Sequence, residues 1–210
     1  MSTIDLAGLA VAIGGLQARM SSAEQELNEA DARLGDGDTG GMLVRVIDAV
    51  SKVDVASQPD LGAAFSQMSR RTAMATGSSL GTLIATALGT LGTRLKGVQA
   101  ITTPELAGHL DAALEVMMKR GGATLGDKTV LDSLSAVAAA LRQAAPGTGA
   151  QAARMAAADA LASFRGKPCK IGRARLFAEK SADLDDPGML AAQHLVTALT
   201  APSLVQGQQS

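Results

Sequence analysis

Apolar side chains recur every three or four positions along almost the whole chain, the spacing of helices that each bury one stripe. A first helix is predicted from about Thr3 to Leu34, with Gly14-Gly15 as its break point. Inside it, "SSAEQEL" offers a capping sequence, Ser22 followed by Glu24 and Gln25. "GMLVRVIDAVSKV" reads as a second helix, and "QPDLG" punctuates the chain before a third, "LGAAFSQMSRRTAMAT". "SSLGTLIATALGTLGTRL" is a fourth, rich in small residues. "TTPELAGHLDAALEVMMKRG" begins with Thr103 as the expected cap and Pro104 at the first helical position. "GDKTVLDSLSAVAAALRQAA" follows and is stopped by "PGTG"; "AQAARMAAADALASFRG" comes next. "GRARLFAEKSADLDDPG" is less regular, "PGMLAAQHLVTALTA" closes the pattern, and "PSLVQGQQS" reads as a flexible tail from about residue 202. About eight helices and no convincing strand predict an all-α bundle. Without a fixed-period repeat or a dividing linker, residues 1–210 read as one domain.

Composition narrows the picture. Hydrophobic residues make up 47% of the 210, yet there are three Phe and no Trp or Tyr. The core is therefore expected to consist of Ala, Leu, Val, Ile and Met, which suits closely packed helices. A formal net charge of -1 with so few aromatics gives no basic face or stacking platform for nucleic acid, and nothing that points to an anionic membrane. Cys169 is the only cysteine, which rules out an internal disulfide and a Cys-based zinc site. The apolar run Leu6–Leu16 carries Asp5 ahead of it and lacks a basic leader, so it reads poorly as a signal peptide. No apolar run is long enough to span a bilayer, and a cytoplasmic protein is expected.

The chemistry is concentrated in the loops. Four Gly-rich polar segments stand out, at 35–41, 76–82, 121–129 and 186–188, with a basic stretch at 165–175. In "DARLGDGDTGGM", Asp31, Asp36 and Asp38 fall within eight positions among glycines. "GDGDTG" fits G-x-G-x-x-G by letter, but a helix precedes it and two aspartates would repel a pyrophosphate. An EF-hand fails as well, because counting from Asp36 puts Gly40 at position 5 and Ile47 at position 12. A polar turn explains one Asp-Gly pair; three carboxylates with four glycines point further, to hard oxygen ligands for Mg²⁺ or Ca²⁺. Bound cations would in turn accept phosphate oxygens.

In "GGATLGDKT", Gly121 and Gly126 bracket four residues as in a P-loop, but Asp127 stands where that loop needs its lysine. Asp127 or Thr129 can cap the following helix, and ligand contact stays open. "TGSS" at 76–79 can cap a helix or offer hydroxyl and N–H groups to phosphate. Arg165, Lys167, Lys170, Arg173 and Arg175 form either a solvated basic surface or an anion contact. His109 and His194 read as structural or surface residues, and Cys169 as non-catalytic.

Taken in order, "DARLGDGDTG", "TGSSLGTL", "RGGATLGDKTVLDSL" and "GRARLFAEKSADLDDPG" resemble the nucleotide-binding L subunit of dihydroxyacetone kinases over most of the chain. The resemblance implies a closed barrel of eight antiparallel helices with the nucleotide, ADP or ATP, at one end. It implies two Mg²⁺ held by Asp31, Asp36 and Asp38. Nucleotide contacts would fall at Thr39, Gly40, Gly41, Met42, Ser78, Ser79, Gly121, Val130, Arg173 and the Asp186-Pro187-Gly188 turn, with Arg173 also assisting catalysis. It further implies a separate K subunit that holds the keto substrate, and a phosphoryl source that is either ATP or a phosphotransferase-system protein. Thr39 stands where that family usually has His; the related nucleotide domain of fatty acid kinases has Thr there, in "DGDTG". A fatty-acid-kinase-like domain and a non-catalytic nucleotide sensor are therefore the alternatives.

Overall fold

A computed structural model describes residues 3–201, the side chain of Ala18 excepted; the tail expected from residue 202 lies outside them. The long first helix is divided in two. Asp5 caps α1 (Leu6–Gly14) by accepting the Gly8 N–H at 2.8 Å, and Gly15 joins it to α2 (Leu16–Ala32). Ser22 caps nothing: it lies inside α2 and donates to the Arg19 carbonyl one turn back. Then follow α3 (Thr39–Ser51), α4 (Leu61–Ala75), α5 (Ser79–Arg94), α6 (Thr103–Gly121), α7 (Val130–Gln143) and α8 (Gly149–Ser163). A 3-10 turn (Arg173–Phe177) and the short α9 (Ala178–Ala182) lead to α10 (Pro187–Thr200).

Two further features differ from the sequence expectation. The three-residue strands β1 (Thr3–Asp5) and β2 (Ala100–Thr102) pair antiparallel, Ile4 opposite Ile101. They are too short to show an alternating pattern. The cap of α6 is Thr102 rather than Thr103, because Thr102 stands three residues before Glu105 and the two close a reciprocal capping box.

Each helix from α2 to α8 packs on the next, α8 packs on α10, and α10 packs back on α2. Eight helices thus form a closed ring with α1 and α9 outside it. The core is aliphatic, as composition requires: Met20, Leu27, Leu43, Leu61, Leu95 and Met189 are all nearly inaccessible. Small residues allow a close contact between α4 and α5. A Cβ on Gly92 of α5 would meet the backbone nitrogen of Ser66 on α4 at 2.9 Å.

Because neighbours in the ring alternate in direction, connections collect at two ends. The segments 33–38, 76–78, 122–129 and 164–186 share one end, and the β1–β2 pair with the remaining connections shares the other. Every polar loop singled out in the sequence therefore lies at one end of the barrel. Among the described residues, no helix is long and apolar enough to cross a membrane.

Candidate functional site

The acidic loop is shaped by its own backbone. Asp31 sits at the end of α2, and its Oδ2 accepts the N–H groups of Gly37 (3.1 Å), Asp38 (3.0 Å) and Thr39 (3.2 Å). These bonds curl the loop around the carboxylate. Gly37 takes a φ of +78°, a left-handed conformation that suits glycine. A Cβ on Gly35 would stand 2.5 Å from Asp31 Oδ1, and one on Gly40 would strike the Glu24 carbonyl of α2.

Three carboxylates converge as a result. One oxygen each from Asp31, Asp36 and Asp38 lies within 4.8 Å of the others. Asp38 occupies the N-cap position of α3, yet its side chain makes no capping bond. Like charges this close need a cation, and Arg173 supplies one by forming an ion pair with Asp36. That guanidinium, donating to the Asp36 carboxylate, holds the carboxyl below its ordinary range; the pairing in turn raises the arginine. The donor set consists of hard anionic oxygens without nitrogen or sulfur, the chemistry of a Mg²⁺ or Ca²⁺ site.

The expected contact residues lie at the same end of the barrel as this cluster, with different commitments. Thr39, Gly40 and Gly41 open α3, but the Thr39 N–H is held by Asp31, and Asn28 Oδ1 takes those of Gly40 (2.8 Å) and Gly41 (3.2 Å). Met42 points its side chain into the core, 1% exposed. The α3 N-terminus is therefore not a free anion cradle; the Thr39 side chain is the polar group left to it. Ser78 caps α5 through the Gly81 N–H (3.0 Å), while the neighbouring Ser79 is exposed. Gly121 ends α6 over Leu83 of α5. Val130 opens α7 beside Gly188, whose Cβ would meet the Val130 Cβ at 3.5 Å. Asp186 caps α10 through Met189 N–H at 2.8 Å. Although the residue keeps some exposure, its carboxyl is enclosed, and burial pushes it up to about 7.

The family model of the DAK2 domain matches residues 33–201, from the end of α2 through the last ring helix. The chain belongs to the DAK2 domain family. It is 31% identical to the D-erythrulose kinase of Mycolicibacterium smegmatis over 189 residues, 86% of this chain and 32% of that protein. It is 35% identical to the L-erythrulose kinase of Pectobacterium atrosepticum over 187 residues, 84% of this chain and 31% of that protein. Its fold matches the crystal structure of the C. freundii dihydroxyacetone kinase in complex with AMP-PNP and Mg²⁺, with a TM-score of 0.72 and 26% identity, over 92% of this chain and 33% of that one. This chain thus spans about a third of the length of these relatives.

The DAK2 domain of this chain also relies on residues that sequence reasoning passed over. Asn28 lies one turn before Asp31 on the same face of α2, and the two together satisfy the first-turn N–H groups of α3. That spacing, i to i+3, was the available signal. Asp132 is 7% exposed and accepts the N–H groups of Gly126 (2.6 Å) and Thr129 (2.8 Å), completing a capping box with Thr129. Lys128 is 1% exposed and, among the described residues, the one non-glycine with positive φ (63°). Its ammonium donates to the carbonyls of Lys167 (2.9 Å), Ser181 (2.7 Å), Ala182 (3.3 Å) and Leu184 (2.7 Å).

The basic stretch does not behave as one surface in this DAK2 domain. Arg165 forms a two-pronged pair with Asp185 at 2.9 Å, and Lys167 lies 4.5 Å from the centre of the Phe164 ring. Lys170 reaches Asp127 at 4.0 Å, and Arg173 reaches Asp36. Cys169 is buried, its thiol pushed up by that burial, with its N–H on Ser181 Oγ at 2.8 Å.

Proposed function

We propose that this DAK2 domain is the nucleotide-binding unit, for ADP or ATP with Mg²⁺, of a dihydroxyacetone-type keto-sugar kinase. The observation that carries the proposal is the triad of converging carboxylates on a glycine loop, closed by a cation from another loop, in a chain related to erythrulose kinases. The neighbour crystallised with AMP-PNP and Mg²⁺ supports the choice of ligand. Asp31, Asp36 and Asp38 would hold the metal, two Mg²⁺ by the family pattern; bound there, it supplies charge neutralisation for the nucleotide phosphates. Asp31 would orient the loop while Asp36 and Asp38 face the ligand. Arg173 would add positive charge near the transferred phosphoryl group.

The acceptor would be a three- or four-carbon ketose, following the relatives' names, held by a K subunit or K domain. Neither histidine is placed to carry it. His109 takes a bond from Arg94 near the opposite end of α6, about 18 Å from the site end at 1.5 Å per residue. His194 lies against Glu26 at 3.1 Å, between α10 and α2. Phosphate would arrive as ATP or, with ADP retained, from a phosphotransferase-system protein.

Calorimetry of ADP with Mg²⁺ and with EDTA tests the metal requirement. Tight binding only with Mg²⁺ is expected; equal affinity in EDTA would refute the site. The chain alone should leave dihydroxyacetone unphosphorylated, and addition of the K subunit should start transfer.

A further inference from the structure

Arg173 sits on a loop whose two feet are Lys167 and Ser181–Leu184, and these feet converge on one nitrogen. Lys128 Nζ reaches carbonyls from both, three of them within 2.9 Å. Other contacts tie the feet to each other: Gly166 N–H to the Ala182 carbonyl (2.8 Å), Cys169 N–H to Ser181 Oγ (2.8 Å), and the Arg165–Asp185 pair. Among the described residues, the polar links from this loop to the start of α7 are the Lys128 ammonium, the Lys170 N–H bond to the Asp127 carbonyl at 3.1 Å and the Lys170–Asp127 ion pair at 4.0 Å, and Ile171 packs against the apolar cluster around Leu131. Beneath it, Leu34, Cys169 and Ala174 form a small apolar patch. The tip is exposed from Arg175 to Lys180, and the Arg173 and Asp36 side chains are themselves 67% and 50% exposed. An ion pair that open to water does little to hold a loop in place.

We infer that Lys128 is the positioning residue for Arg173, acting by anchoring both feet of the arginine-bearing loop to the start of α7. An ammonium has three protons, and three are what the closest carbonyls use, with Ala182 sharing at longer range. Remove the ammonium and four buried or half-buried carbonyls lose a donor at once, although Ala182 keeps the Gly166 N–H and Ser181 the Leu184 N–H. The feet then stay zipped to each other but keep only the Lys170–Asp127 contacts and the apolar packing of Ile171 and Ala174 as their hold on the barrel, and Arg173 is delivered to Asp36 far less often. The geometry is independent of ligand; the effect on binding rests on the nucleotide reading above.

The test combines hydrogen exchange with a double-mutant cycle. Lys128→Met keeps an apolar stem and removes the donor. Amides of residues 166–184 should exchange at least about tenfold faster in the variant without nucleotide, the expected loss for hydrogen bonds to a charged donor, while those of α3 to α5 hold. Mg-ADP binding should weaken by the same factor as in Arg173→Ala, and the double variant should bind no worse than Arg173→Ala alone. Losses that multiply in the double variant would assign Lys128 a merely structural role and overturn the inference. So would unchanged exchange in 166–184, or wild-type affinity in Lys128→Met where Arg173→Ala binds weakly. If Lys128→Met does not fold, Lys128→Arg is measured instead: its flat fork cannot serve carbonyls that converge on a point, so a smaller loss with the same non-multiplying pattern is expected. If the wild-type chain shows no Mg-dependent ADP binding, the proposed function fails, and the exchange measurement alone decides the inference.

Discussion

The two ends of the barrel use the same residue types in opposite ways. At the far end, Asp60 spends its carboxylate on backbone, taking the N–H of Ala63 at 2.7 Å and of Gly97 at 3.0 Å. Those bonds hold its carboxyl below the ordinary range, and the Thr102 N–H does the same for Glu105. At the site end, Asp38 sits at a helix start without capping it, and Asp36 finds its partner in a side chain from another loop. An Asp at a helix start is thus structural where backbone N–H groups consume it. It becomes available for chemistry where other residues, here Asn28 and Asp31, have taken those N–H groups first.

The sharpest way to break this contrast is to exchange the losses. Asp36→Asn should abolish Mg-dependent ADP binding, by about 100-fold or more, since even partners of metal ligands cost 10–100-fold. Its melting temperature should hold or rise, because repulsion with Asp31 and Asp38 is relieved. Thr102→Ala at the far end should do the reverse: loss of an N-cap costs about 1 kcal/mol, with ADP affinity unchanged. A variant pair that fails to separate binding from stability would dissolve the distinction. Next in size, Arg173→Ala should weaken nucleotide binding about tenfold, the scale of one charge-assisted bond, while Arg175→Ala should change it little. Equal damage from both, measured by the same titration, would mean a diffuse basic surface.

The smallest effect concerns pH. The enclosed Asp186 carboxyl titrates at about 7, above its ordinary 3.8. Between those values the folded state holds a proton that the unfolded state has lost. The stability this group contributes is therefore full below about pH 4 and lost as pH rises through 7. Asp186→Asn keeps an acceptor for the Met189 N–H and removes the titration. From pH 6.5 to 7.5 its melting temperature should fall by roughly 2 °C less than that of the wild type, the scale of a kcal/mol or less in a domain of this size.

The sequence was most readable where one residue type does one local job. The 3.6-residue period exposed the helices, and Thr129 marked a helix start that the structure contains. The family fold implied by the loop motifs, eight helices closed into a ring, is the one observed. What escaped was interaction with partners that have no residue identity. Lys128 bonds to backbone carbonyls 39 to 56 positions away, and any side chains could have stood there. Thr102 and Thr103 were separable only by counting three residues to Glu105. The basic run misled for a different reason: its cations are shared among Asp185, Asp127 and Asp36, so nearness in sequence did not become nearness in space.

The pairing of Thr3 with Thr102, and the bond from Arg154 near the start of α8 to the Thr200 carbonyl, have a consequence for tethering. Both ends of the described chain leave the barrel on the face away from the carboxylates. A neighbour joined at either point would have to traverse the barrel's height to reach the carboxylate side, roughly 20–25 Å for helices of this length. A connector running that distance needs at least about seven extended residues. Fusions with shorter connectors should leave the acidic mouth open to a partner arriving from solution, whereas longer ones let the attached body compete for that mouth.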